Sequence, residues 1–222
     1  MSLTGKIGIT DTGLLYFRTP KSASGSGVYV SIFALLALTA VLLSENSAYP
    51  SLFVLCSVLH ECAHIFSLKL VRSQIRRICI YPFGADIRTS GTDISYLAEI
   101  FTVISGVLCN LILSVISALL YGFIPDRHIL FFCAANAFLA LSNTIPVRSL
   151  DGGRALELIL CEKFGPDKAY GVCSFVSWLS YGIMCCFFMF LFLDSGCNLF
   201  FMIILIYTVL CAFFAEKLTG FI

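Results

Sequence analysis

The sequence predicts an all-α polytopic membrane protein, with about six transmembrane helices and a short re-entrant or β-like loop between the second and third. Three observations carry this. The chain of 222 residues is 59% hydrophobic and only 12% charged, with a mean hydropathy of +0.96. Its apolar runs are long enough to cross a bilayer. Its basic residues sort to one side of those runs. A water-soluble fold of this size needs more polar surface than the chain holds, and a disordered chain needs more charge. A net charge of +1 offers nothing to a nucleic acid.

Residues 1–27 form a polar leader that ends in a Ser/Gly-rich stretch at 22–27. It lacks the charged-then-apolar layout of a cleaved signal peptide, so the first span is expected to stay in the mature chain. A span needs about 17 to 25 mostly apolar residues. Six stretches are candidates: 28–43, which is short and would need snorkelling or a thin patch of bilayer, then 51–70, 97–123, 129–147, 170–193 and 197–215. Residues 28–222 are therefore expected to make one transmembrane domain. Of the 14 Lys and Arg, all but Arg127 fall in the leader, the second and fourth loops or the tail. By the positive-inside rule both termini are cytoplasmic. The 11 cysteines sit mostly in apolar runs without a Cys-x-x-Cys pair, and read as small buried hydrophobes.

Ionisable groups within spans are costly and point to function. The second span carries His60-Glu61-Cys62-Ala63-His64. Histidines four apart share a helix face, and His-Glu-x-x-His is the pattern in which two imidazoles hold Zn²⁺ and the carboxylate serves as general base. The plainer reading is a pair of packing histidines bonded between helices. A catalytic zinc takes a third protein ligand. Position 70, where a longer version of the motif would place a histidine, is Leu70, and His128 falls in a short outer loop. Asp151 is better placed, in Asn143-Thr144-Ile145-Pro146-Val147-Arg148-Ser149-Leu150-Asp151-Gly152-Gly153. Pro146 should end or kink the fourth span. Gly152 and Gly153 would admit close backbone approach and unusual dihedrals. From the residues alone Asp151 is either a ligand or the N-cap of a short cytoplasmic helix over 154–163.

His60-Glu61-x-x-His64 in one span, with Asn143-x-x-Pro146 and Leu150-Asp151-Gly152-Gly153 at the end of a later one, resembles the site-2 protease family of intramembrane zinc metalloproteases. The six-span layout and Tyr81-Pro82-Phe83-Gly84 resemble its sporulation branch, the stage IV membrane protease that processes a sigma-factor precursor. The resemblance implies one Zn²⁺ held by His60, His64 and Asp151, with Glu61 catalytic and Asn143 binding substrate. It also implies a membrane-embedded or membrane-associated protein substrate, a regulatory membrane partner, and residence in a bacterial cytoplasmic or forespore membrane.

The third span departs from the family's Gly-Pro-x-x-Asn. It reads Gly106-Val107-Leu108-Cys109-Asn110, keeping Gly106 and Asn110 one helical turn apart without the proline. No C-terminal ligand-sensing domain is expected. The loop over 72–93 has strand-forming residues around Tyr81 and Phe83, and a strand edge there could pair with an unwound substrate. The rival readings are a membrane metal transporter and a metal-binding scaffold that use the same His/Glu/Asp cluster.

Overall fold

The computed structural model describes residues 48–72 and 95–196, the backbone of five strands, Thr39, and helical positions at 202, 205, 206, 208 and 209. The chain divides into two compact units, Met1–Leu139 and Ala140–Ile222.

In the first unit, β1 (Lys6–Ile9), β2 (Leu14–Arg18), β3 (Gly27–Ser31), β4 (Gln74–Tyr81) and β5 (Gly84–Ser90) form a sheet in that order. All neighbours are antiparallel except β3 and β4, which run parallel with Val28 opposite Ile78 and Val30 opposite Ile80. Parallel neighbours need a long crossover, and helix α1 (Tyr49–Leu70) lies within it. The sheet corrects two expectations. The leader carries two strands, and the first span does not begin as helix at Val28. Val28-Tyr29-Val30 is a β-branched and aromatic run that suits a strand, and β4 meets its backbone hydrogen bonds. Most of the remainder of that expected span lies outside the described residues. The β-like loop expected between the second and third spans is the β4–β5 hairpin, with Tyr81 paired to Gly84. Phe83 lies outside the described residues.

Helix α2 (Tyr96–Phe123) is capped by Ser95, whose hydroxyl accepts from the Ala98 N–H at 3.3 Å. Helix α3 (Arg127–Thr144) begins in the first unit and ends in the second. It stops one residue short of Ile145, which precedes Pro146, as the steric conflict of a pre-proline residue with helix requires. In the second unit follow α4 (Asp151–Phe164) and α5 (Pro166–Asp194).

Three of these helices, α1, α2 and α5, are long and apolar enough to cross a membrane. At 1.5 Å rise per residue they reach about 33, 42 and 44 Å. They correspond to the expected spans 51–70, 97–123 and 170–193. The expected span 129–147 is helical through most of its length as α3. The last expected span, 197–215, lies mostly outside the described residues. This is a membrane protein, and its helices are patterned accordingly. On α2, Leu111, Ile112, Val115, Ile116 and Leu119 are exposed, while Thr102, Gly106, Asn110, Ser114 and Ser117 are buried. Apolar side chains face outward, and a stripe of small and polar residues at three- and four-residue spacing faces the neighbouring helices.

Candidate metal centre

Helix α1 buries Cys56, His60, His64 and Leu68, a stripe one helical turn per step, with Ser67 beside it. The four-residue spacing brings the two imidazoles together, with Nε2 of His60 and Nε2 of His64 3.2 Å apart and the rings nearly perpendicular. Across from them runs the buried stripe of α2. Nδ1 of His64 lies 2.9 Å from the carbonyl oxygen of Thr102. A carbonyl only accepts, so Nδ1 carries the proton and neutral His64 is left with a lone pair on Nε2. Ser67 donates to the His64 carbonyl at 2.8 Å and meets the Ser105 hydroxyl at 3.0 Å, while Ser105 donates to the Thr102 carbonyl at 2.7 Å.

Gly106 lies flush against the pair. A Cβ built there would stand 2.7 Å from Cε1 of His60 and of His64, closer than any side chain can sit. One turn further along α2, Asn110 is fully buried, and among the described residues neither end of its carboxamide has a hydrogen-bond partner. Asn136 of α3 is buried as deeply. It donates to Sγ of Cys56 at 3.1 Å and to the Phe132 carbonyl at 2.8 Å. Glu61, adjacent to His60, is half-buried.

In the second unit, Asp151 is the first residue of α4, and Leu150 is the capping residue, without a side-chain cap bond. Asp151 is thus inside the first turn rather than at the cap, where a carboxylate interacts favourably with the helix N-terminus. Gly152 and Gly153 have ordinary helical backbone; among the described residues positive φ belongs to Arg72, Gly165 and Gly196. Close approach alone calls for the two glycines. A Cβ on Gly152 would meet the Ile145 carbonyl oxygen at 2.8 Å, and one on Gly153 would meet the Arg148 nitrogen at 2.6 Å. Asn143 is half-buried in the last turn of α3, and Pro146 follows just beyond it.

The turn before Asp151 holds residues that sequence reasoning passed over. Arg148, counted in sequence only among the basic residues of the fourth loop, is a buried side chain. Its Nη2 donates to Oε1 of Glu157 at 2.9 Å, and its guanidinium stacks 4.1 Å from the centre of the Tyr170 ring. Burial disfavours its charge, but Tyr170 and Glu157 outweigh that and hold its pKa above the ordinary value. The signal available in sequence was Tyr170, Ser177 and Tyr181, polar positions at i, i+7 and i+11 on one face of an apolar helix. His128, expected in a short outer loop, is instead in the first turn of α3, with its ring Nδ1 3.1 Å from Oδ1 of Asp126.

Among the described residues, the side chains of metal-ligand type singled out in each unit are His60 and His64 in the first and Asp151 in the second, each offering one ligand atom. The donor chemistry fits zinc. Two imidazoles and a carboxylate are the ligand types of catalytic zinc sites. The Thr102 carbonyl gives His64 the outer hydrogen bond that fixes a metal-binding tautomer.

No family model matches the chain, and no curated protein matches it. Among solved structures it is similar to the site-2 protease from Methanocaldococcus jannaschii. The TM-score is 0.62 and the identity 20%, over 96% of this chain and 94% of that one. The two share a fold.

Proposed function

We propose that the chain is an intramembrane zinc metalloprotease that hydrolyses a peptide bond of a membrane-embedded or membrane-associated protein. One observation carries the reading: two buried imidazoles on a membrane-spanning helix, their Nε2 atoms 3.2 Å apart, one with its tautomer set by a backbone carbonyl. Two ring nitrogens this close share a hydrogen bond, and on the His-Glu-x-x-His spacing the same pair can hold a metal ion. His60, His64 and Asp151 are the ligands. The fold shared with a site-2 protease supports the same assignment.

Zinc held by these residues supplies Lewis-acid chemistry for peptide hydrolysis. Glu61 takes the proton from the attacking water and returns it to the leaving amine. Asn143, Tyr81 and Phe83 bind the substrate in extended form. Gly106 and Asn110 shape the α1–α2 contact beside the histidines, and Pro146, Gly152 and Gly153 shape the approach to Asp151. The chain crosses the membrane six times with both termini cytoplasmic. The parallel pairing of β3 with β4 supports this, because the chain between them must return to the side it left, which α1 alone cannot do. A sigma-factor precursor or an anti-sigma factor is the substrate class that the Tyr81-Pro82-Phe83-Gly84 segment favours.

The test is cleavage of a single-span substrate by the full chain in vesicles. Chelation should stop cleavage and added Zn²⁺ restore it, while Glu61→Gln should lose about 10²- to 10⁴-fold in rate and keep its zinc. Metal flux across the vesicle without cleavage would replace this reading with a transporter.

A further inference from the structure

Asp151 can serve as a ligand only if the start of α4 is held still, and the three residues Val147–Ser149 lead into it. Internal bonds shape this turn: the Val147 N–H donates to the Ile145 carbonyl and the Leu150 N–H to the Val147 carbonyl, each at 2.8 Å. Outside the turn, every one of the three residues is fastened to α5. Val147 is 1% exposed and packs against the ring of Tyr181. The Arg148 backbone N–H donates to Oγ of Ser177 at 3.1 Å. The Ser149 hydroxyl lies 3.1 Å from the Tyr181 hydroxyl. The Arg148 side chain adds the Tyr170 ring of α5 and Glu157 of α4, which ties the turn to the helix that Asp151 begins. Tyr170, Ser177 and Tyr181 share one face of a membrane-spanning helix. Polar groups there are costly unless they have work to do.

We infer that this face of α5, acting through Arg148 and Ser149, positions the Asp151 carboxylate for the metal, so that Ser177 and Tyr181 are positioning residues of the centre. The inference rests on the reading of Asp151 as a ligand. A carboxylate whose backbone can drift forfeits affinity, and outer partners of metal ligands typically carry about 10- to 100-fold in binding.

The experiment measures Zn²⁺ affinity by chelator competition, and the Co²⁺ absorption spectrum, for the purified full chain in nanodiscs. The variants are Ser177→Ala, Ser177→Thr, Tyr181→Phe and Asp151→Ala. Ser177→Ala and Tyr181→Phe should each bind zinc about tenfold more weakly and change the cobalt spectrum, with helicity unaltered. Ser177→Thr keeps the hydroxyl and should bind like the wild type. With substrate, kcat should fall and KM stay. If Asp151→Ala binds weakly while Ser177→Ala and Tyr181→Phe bind normally, the positioning role is overturned and the ligand role stands. If Asp151→Ala binds normally, the ligand reading fails and this inference falls with it.

Discussion

The proton on Nδ1 of His64 points at the carbonyl oxygen of Thr102, 2.9 Å away on the next helix. That one bond connects α2 to the chemistry proposed for α1. It fixes the ring's orientation and leaves Nε2 as the acceptor toward Nε2 of His60, 3.2 Å away. The carbonyl in turn is shared with the Ser105 hydroxyl at 2.7 Å, and Ser105 reaches back to Ser67. Ser105→Ala removes one member of this network and leaves the carbonyl to His64. Its effect on stability should be near the average for a polar pair between membrane helices, about 0.6 kcal/mol, with zinc binding retained. Unfolding of purified protein in mixed micelles would measure it.

Gly106 leaves no room for error. A methyl group there would stand 2.7 Å from carbons of both imidazoles, and the rings can retreat only by giving up the contact to Thr102 or to each other. Gly106→Ala should therefore lose at least tenfold in zinc affinity, whereas Ala at Gly122, which meets nothing within 4 Å, should bind zinc normally. Equal affinities for the two variants would mean that the histidines are not the ligands or that α2 does not hold them.

The two fully buried asparagines should respond differently to truncation. Asn136 gives hydrogen bonds to Cys56 and Phe132, and its loss strips the Cys56 sulfur of a donor. Asn110 makes no such bond among the described residues. Asn136→Ala should cost about 1–2 kcal/mol more than Asn110→Ala, since only the first gives up made hydrogen bonds. Thermal unfolding of both variants in the same detergent would rank them.

How much of this could be read in advance depended on whether a residue's role was local. His60, Glu61 and His64 were legible because helical spacing alone puts the imidazoles on one face. Pro146 was legible as the end of a helix because its ring acts on its neighbour. The strand at Val28-Tyr29-Val30 was not, since a short apolar run reads the same in a strand as in a span, and its partner β4 lies some fifty residues on. The burial of Arg148 was not legible for the same reason: it comes only from the tertiary meeting with Glu157 and Tyr170. Gly152 and Gly153 were legible as close-approach residues, but the backbone they approach belongs to their own preceding turn.

The N-terminal end of α3 offers a test that is separate from the metal. Asp126 precedes the helix, and its Oδ1 accepts from the His128 backbone N–H at 2.7 Å. That bond is the main cause holding the Asp126 carboxyl below its usual range; slight desolvation works the other way, and the His128 ring and the Ile129 N–H add to the lowering. A carboxyl whose pKa is depressed in the folded chain stabilises that chain above its unfolded pKa, and the contribution is lost as pH falls through the folded value. Asp126→Asn keeps an acceptor but cannot ionise. The thermal midpoints of wild type and Asp126→Asn should therefore differ by a constant amount from neutral pH down to about pH 5 and converge in more acid solution. The difference should be small, because the carboxylate is exposed to water. A gap that persists unchanged at the acid end would show that the ionised form of Asp126 contributes nothing to the start of α3.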